Sequence, residues 1–449
     1  MIGRVWQRSA WLALWLVVAL GTARSNPLDA YGFGARGIGL AGAYTALVDD
    51  FSANYYNPAG LAVSGKLRLE FGYAFHQPEL RLNGANQRVD ASRGFQGGLV
   101  LGGELFDRRI AASVAMHLPD QVVSRIRSLP QQQPRWVLFD NRPQRVVVTT
   151  SVAFELVKDF FIGAGITFLA NTTGTVTITG DVGLADAANT KLLSAVDVDL
   201  TSIRYPSFGL QYHRDGWSFG LAWREEFNLR LDIDVVVKGR ILNDLANFDP
   251  ADPAVLIEDG TLTLVSGNNN LFSPRQLAMG VAYTWDCWTV AVDLSWVQWS
   301  RFPPPTATVD ISLELDPLPF QIPPLDAPIA PRFRDIWIPR FAVEYRAVDA
   351  PDMGLTLRGG YAYEPSPAPE QTGLTNYVDT DKHTFSFGLS WRLSMLEPTL
   401  KEPLFLEVGG QLAHHAARVM TKVAANDPVG SYRADGLTFG VATTLKVLF

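Results

Sequence analysis

The chain has 449 residues, 47% of them apolar and only 18% charged, with a formal net charge of −7. That acidic balance argues against a nucleic-acid surface, which needs a basic excess, and a single cysteine, Cys287, excludes an internal disulfide. Past the first two dozen residues no run reaches the ~18 consecutive apolar residues of a membrane helix, yet 38 Gly and 11% aromatics suit a chain that is apolar only at alternate positions.

Residues 1–25 read as a secretory signal. Arg4 and Arg8 form a basic lead, Trp11 to Leu20 an apolar stretch, and Gly21, Ala23 and Ser25 offer cleavage positions, with Asn26 as the first mature residue. The compartment is then periplasm or outer membrane.

Residues 26–64 are rich in Gly and Ala, with Asp29, Arg36, Asp49 and Asp50 nearly the only charges. A small-residue segment of this length fits a barrel lumen, where polar wall groups satisfy its N–H and C=O groups, so it is expected to be a plug. Gly32, Gly34 and Gly37 spell G-x-G-x-x-G. The pattern lacks the preceding strand and following helix of a dinucleotide site, so no nucleotide or other cofactor is assigned. Asn57-Pro58-Ala59 reads as a rigid turn closing the plug, because proline pushes the residue before it out of the helical region.

Residues 65–449 alternate with period two. The clearest segments are Leu67 to Phe75, Trp217 to Trp223, Leu277 to Trp285, Trp288 to Trp296 and Phe385 to Trp391, and the count is about fourteen strands. Large apolar residues hold one parity; Arg68, Glu70, Gly72, Asp293 and Ser295 exemplify the other. Short turns (Val157 to Asp159, Arg214 to Gly216, Asp286 to Cys287) alternate with long excursions (Pro119 to Arg145, Gly239 to Pro274, Arg301 to Ile336). That rhythm belongs to an outer-membrane barrel with short periplasmic turns and long external loops. The expected class is all-β: a transmembrane antiparallel β-barrel with an N-terminal hatch in its lumen. Trp217, Trp223, Trp285, Trp288, Trp296, Trp299 and Trp391 fall near strand ends, where an aromatic girdle meets headgroups. An even strand number leaves both barrel termini on the periplasmic side.

Charges of the lumen parity are Arg68, Glu70, Arg224, Asp293, Arg340, Glu344, Arg358, Arg392, Glu407 and Lys446. Unpaired they are costly, so most are expected to pair and hold the hatch. Arg358 and Arg392 are the candidates for holding a ligand carboxylate, which suits a guanidinium fork. Among apolar loop residues, Trp136, Phe139, Phe272 and Phe302 are candidates for a capture surface, with Phe248 nearby in kind.

Catalytic and metal readings lack support. His117 has Ala115 and Pro119 as same-face neighbours, and His414 and His415, being adjacent on a strand, point to opposite faces. Asp379-Thr380-Asp381 reads as a solvated turn rather than a cation site. No metal is assigned and no enzyme activity.

The last strand carries Leu437, Phe439, Val441, Leu445, Val447 and Phe449 on one parity. A chain ending this way resembles the C-terminal signal through which the barrel assembly machinery recognises bacterial outer-membrane barrels. The Gly/Ala-rich lead with Y-Y-N-P-A-G-L-A resembles the hatch and Asn-Pro-Ala motif of the FadL/TodX family of outer-membrane transporters of long-chain fatty acids and other hydrophobic compounds. Ser273 to Phe302 with its W-x-x-W-S-x-F ending, Trp337 to Tyr345, and Leu357 to Trp391 with R-G-G-Y-A-Y-x-x-S-P-x-P are similar to the same family.

The resemblance covers essentially the whole mature chain. It implies a fourteen-stranded barrel in the bacterial outer membrane, monomeric, surrounded by outer-membrane lipid and lipopolysaccharide. It also implies passive entry of long-chain fatty acids or other hydrophobic molecules, gated by the hatch, with lateral exit through the wall. The alternative is a structural or surface-recognition barrel that binds a partner through its long loops.

Overall fold

The computed structural model describes residues 27–120, 131–140, 146–183, 189–242, 255–304, 307–315, 328–394 and 402–449. Residues 1–25, read from the sequence as a signal, and Phe248 lie outside them.

Strands are β1 (Arg68–Leu82), β2 (Ser92–Leu105), β3 (Arg108–Pro119), β4 (Val147–Val157), β5 (Phe160–Gly183), β6 (Lys191–Arg214), β7 (Trp217–Arg224), β8 (Phe227–Leu242) and β9 (Val255–Ser273). They continue as β10 (Gln276–Trp285), β11 (Trp288–Val297), β12 (Ala307–Leu315), β13 (Ile336–Asp349), β14 (Met353–Glu364), β15 (Lys382–Leu393), β16 (Leu404–Met420) and β17 (Tyr432–Leu448).

The wall runs β1 to β7 in order, then β10, β11, β13 and β14 to β17, with every neighbouring pair antiparallel. β17 closes on β1 from Arg68↔Leu448 to Leu82↔Ala434. The closed wall thus has fourteen strands, as the period-two pattern predicts, and closure removes the edges that an open sheet would expose.

The alternation is inverted relative to a soluble sheet. On β1, Phe71 is 57% exposed while its neighbour Glu70 is 1% exposed. The apolar parity, continued by Phe95, Val152, Ile166, Phe341, Phe387 and Phe439, covers the outside, and the polar parity lines the bore. An apolar exterior is stable only where lipid replaces water, so the strands span a membrane. Trp217, Trp285 and Trp288 are exposed beside the short turns, where the girdle was expected. Trp299 departs from that expectation: it lies in a one-turn 3-10 helix after β11 and packs inward, 9% exposed.

The long excursion from Gly239 to Pro274 is also more regular than a loop. β5 and β6 each run 24 residues, well past the ~9–11 that cross a bilayer. Their outer halves pair on, with β8 lying parallel to β5 from Ile233↔Gly174 to Leu242↔Gly183. β9 adds to β8, and β12 adds to β9, completing an external sheet in the order β6-β5-β8-β9-β12. Alternation in these segments resembles loop composition because no lipid face is needed there; cross-strand pairing outside the membrane decides the structure.

Candidate functional site: the plug, its wall and the outer mouth

The segment before β1 folds as three short helices, α1 (Pro27–Tyr31), α2 (Ala35–Gly39) and α3 (Ala53–Tyr56), followed by a 3-10 helix over Pro58–Ala62. Helices of four or five residues do not persist alone in water, so the surroundings hold them. Partners come from all round the barrel. The amides of Gly34, Ala35 and Phe51 donate to Gln96 on β2, Thr444 on β17 and Glu70 on β1, at 2.9, 3.2 and 3.0 Å. The amides of Tyr44 and Thr45 both donate to Asp293 Oδ2 on β11, at 3.1 and 2.8 Å.

Ser386 Oγ on β15 donates to Gly39 O, and Gln411 Nε2 on β16 donates to Tyr31 O, each at 3.0 Å. Asn54 Nδ2 donates to Ser113 Oγ on β3 at 2.8 Å, and Arg224 on β7 pairs with Asp29 at 2.7 Å. A segment bonded to the inner face on every side fills the bore.

Asn57 sits at the centre of this fit. Its φ of −164° is extended, as Pro58 demands, and its Oδ1 accepts from the Ala59 amide at 3.2 Å, capping the 3-10 helix. Its Nδ2 donates to Thr45 O within the plug and to Leu210 O on β6, both at 2.9 Å. One fully buried amide therefore joins two stretches of plug to the wall. The rigid turn expected of Asn57-Pro58-Ala59 is present, with the additional wall contact that only the folded chain creates.

The charged lumen residues form a connected chain on the inner, short-turn side. Arg36 grips Glu344 with two donors, at 2.9 and 2.8 Å, and reaches Asp49 at 2.9 Å. Arg358 pairs with the same Glu344 at 2.5 Å and with Glu407 at 3.1 Å. Bidentate guanidinium–carboxylate geometry fixes orientation as well as charge, so this chain locks α2 to β13, β14 and β16. Arg392 lies elsewhere, at the inner rim, bonded to Asp349 and to Ala350 O at 2.9 and 2.7 Å. The two carboxylate candidates are thus not brought together. The uncharged wall partners Gln96, Gln411, Thr444 and Ser386 escape a search for charge; polar residues on the bore parity of otherwise greasy strands are the signal that marks them.

At the outer mouth all four aromatic candidates meet. Trp136, Phe139 and Phe272 are buried in one cluster with Trp299, Phe333, Ile336, Ile338 and Tyr377, and Phe302 packs against it. Phe302 stacks on Phe333 with ring centroids 4.6 Å apart and meets Phe272 at 5.8 Å. The cluster is roofed by the bridge of Tyr377 and Val378 with Arg135 and Trp136. Below the roof, Asp379 accepts from Ser366 Oγ at 2.7 Å, and Asp381 accepts from the Ser366 amide at 2.8 Å. Burial pushes the Asp379 carboxyl up to about 7. Asp379 and Thr380 are buried and Asp381 half-buried, and the turn is internally bonded, not the solvated turn expected.

Between this cluster and the plug lies a cavity of about 120 Å³, lined by Leu28, Tyr31, Ile38, Tyr56, Arg340 and Ile338 among others. His117 is buried on β3 and His415 bonds Thr438 Oγ1 at 3.1 Å, while His414 faces outward. The histidine pair thus points to opposite faces.

Lipid-facing outside, polar bore, short inner turns and a bonded plug together define a plugged outer-membrane barrel. The chain belongs to the outer membrane protein transport family (OMPP1/FadL/TodX), whose model matches residues 141–403, more than half of the sequence. Alkane uptake protein A of Marinobacter nauticus (strain ATCC 49840 / DSM 8798 / CIP 103578 / SP17) is 22% identical over 444 residues, covering 93% of this chain and 90% of that protein. Among solved structures, a Pseudomonas aeruginosa FadL homologue aligns with a TM-score of 0.54 at 15% identity, covering 93% of this chain and 98% of its own. The P. putida toluene transporter TodX aligns at 0.52 and 14% identity, covering 93% and 99%. These two likenesses show the shared fold.

Proposed function

We propose that this protein carries long-chain fatty acids or hydrocarbons passively from the cell exterior, through a bore gated by its hatch, with lateral exit into the membrane. The supporting observation is an apolar aromatic cluster and a bonded plug that both line one small cavity. A hydrophobic solute gains nothing from a water-filled route, since each exposed CH₂ costs about 0.8 kcal/mol. Capture by Trp136, Phe139, Phe272 and Phe302, which pack on one another in this conformation and must part to admit cargo, spares it that cost. The relatives named above for alkane and toluene support the class of cargo.

The cavity of about 120 Å³ is far below the ~300–1,000 Å³ of ligand sites, so this conformation is shut. Passage then requires the plug to shift, and the Asn57-Pro58-Ala59 turn is one of the places where plug and wall are joined. Lateral exit also needs an opening, because β2, β3 and β4 pair without a register break. We place it behind the lipid-facing groove of about 570 Å³ lined by Leu101, Val114, Val152, Ala164, Ile166 and Phe208. Its inner side is where Asn54 of the plug bonds Ser113.

The direct test is uptake of labelled oleate and labelled hexadecane by cells with and without this gene, in a background free of other carriers. Gene-dependent uptake that drops several-fold when Asn57-Pro58-Ala59 is replaced by Gly-Gly-Gly supports the reading. Uptake of both compounds unchanged by deletion removes it and leaves a recognition barrel.

A further inference from the structure

A second cavity, of about 400 Å³, opens at the short-turn end of the bore, on the far side of the plug from the aromatic cluster. Its charged lining is unbalanced. Six cations, Arg36, Lys66, Arg68, Arg346, Arg358 and Lys446, line it with Asp49, Glu344 and Glu407; at the rim Lys66 also pairs with Glu402 and Arg346 with Asp349, so the excess lies with the inner cations. Glu344 and Glu407 are already engaged by Arg36 and Arg358.

Three of the cations are largely buried, with side chains at most 11% exposed for Arg358 and Lys446, and they are incompletely satisfied. Arg68 is 2% exposed; its Nη2 donates to Leu61 O at 3.2 Å, its Nε has no partner, and no carboxylate lies within pairing distance among the described residues. Arg358 Nη1 is likewise without a partner. Lys446 stands 3.9 Å from Glu70 Oε2, which is itself without a hydrogen bond. Such groups are held in a low-dielectric site only at a penalty that an opposite charge removes.

We infer that this chamber is an oxyanion-binding site on the periplasmic side of the hatch, taking a carboxylate or phosphate between Arg68, Lys446 and Arg358. Guanidinium forks suit both groups. The anion is either the head of an amphiphile, its tail against Phe405 and Leu448, or a free periplasmic solute. The site stands apart from the carriage of hydrophobic compounds and does not require it.

The test uses the mature protein purified in a neutral detergent, titrated calorimetrically with octanoate, acetate and inorganic phosphate. Acetate and phosphate have no tail and cannot report apolar capture. Saturable binding that weakens at least tenfold in both Arg68→Gln and Lys446→Gln, and also falls with salt, is expected. Octanoate much tighter than acetate assigns the site to an amphiphile head; acetate or phosphate equal to octanoate assigns it to a free anion. Lys66→Gln, on the exposed rim, must fold even if the buried variants do not, and is expected to weaken binding about threefold. No saturable binding of any probe, or affinities unchanged in every folded variant, overturns the site. Hexadecane uptake by the same variants, read separately, reports on carriage.

Discussion

Gly163 on β5 and Gly209 on β6 are directly paired across the wall, and a Cβ on either one enters the Asn57-Pro58-Ala59 turn. At Gly209 it would stand 1.9 Å from Asn57 Oδ1; at Gly163 it would stand 2.4 Å from the Ala59 amide nitrogen. Two missing methyl groups therefore make the seat in which the plug is fastened. Gly209→Ala is expected to expel the Asn57 side chain while the outward barrel face is untouched. Amide hydrogen exchange should then speed up in residues 45–62 and stay slow in β1, β2 and β17. Equal protection of the plug in variant and parent would refute the seat.

Asn57→Ala tests the same joint from the other side. It removes the Nδ2 bonds to Thr45 O, which keeps Gln211 Nε2 at 3.3 Å, and to Leu210 O, and it takes the cap from the buried Ala59 amide, a loss of about 1–3 kcal/mol for a group left unpaired. Asn57→Asp keeps the cap to Ala59 but brings a carboxylate against two carbonyl oxygens, and is expected to be at least as damaging. Ion conductance in planar bilayers gives the readout: both variants should open transiently where the parent conducts little.

Asp293→Ala removes the single oxygen that holds the Tyr44 and Thr45 amides. Because two buried donors are orphaned, a loss of about 2–4 kcal/mol of plug docking is expected. Limited proteolysis from the periplasmic side should then cut within residues 40–50, and cleavage as slow as in the parent would count against the anchor. Asp293→Asn, which retains one acceptor, should lie between.

The roof over the aromatic cluster should depend on pH through Asp379. Burial raises its carboxyl to about 7 in the folded protein, against the ordinary carboxylate value when unfolded. The folded form therefore binds the extra proton between those values, and stability falls as pH rises through about 7. Protection factors of the amides around Trp136 and Tyr377, corrected for intrinsic exchange, should be highest in mild acid, decline as pH rises to about 7 and level off above it. Asp379→Asn should flatten that profile; a profile identical to the parent's assigns the dependence to another group.

Ala164→Trp fills the outer groove from the lipid side without touching the plug. If cargo leaves there, oleate uptake should fall several-fold while heat-modifiable gel mobility is unchanged. Undiminished uptake moves the exit elsewhere.

Much of this architecture is legible in the chain, and the reason is local. Side chains alternate at every residue of a strand, so Phe71 beside Glu70 announces an inverted sheet without any knowledge of its neighbours. Turn length alternates for the same reason, because each short turn and each excursion emerges on a fixed membrane face. Proline at 58 restricts Asn57 wherever the chain goes. What the sequence does not contain is which bore residue meets which part of the plug.

Arg358 and Arg392 have the same residue type and the same parity, and only barrel closure puts one beside Glu344 and the other at the rim beside Asp349. Trp299 reads as a girdle residue until the turn after β11 swings it into the cluster with Phe333. The parallel pairing of β8 with the outer half of β5 joins segments some sixty residues apart, and no periodicity encodes it. Alternation thus determined that this protein is a lipid-facing barrel with a polar bore. Partner choice across that bore was left to the tertiary structure, since contacts between segments far apart in sequence depend on register and closure rather than on any local rule.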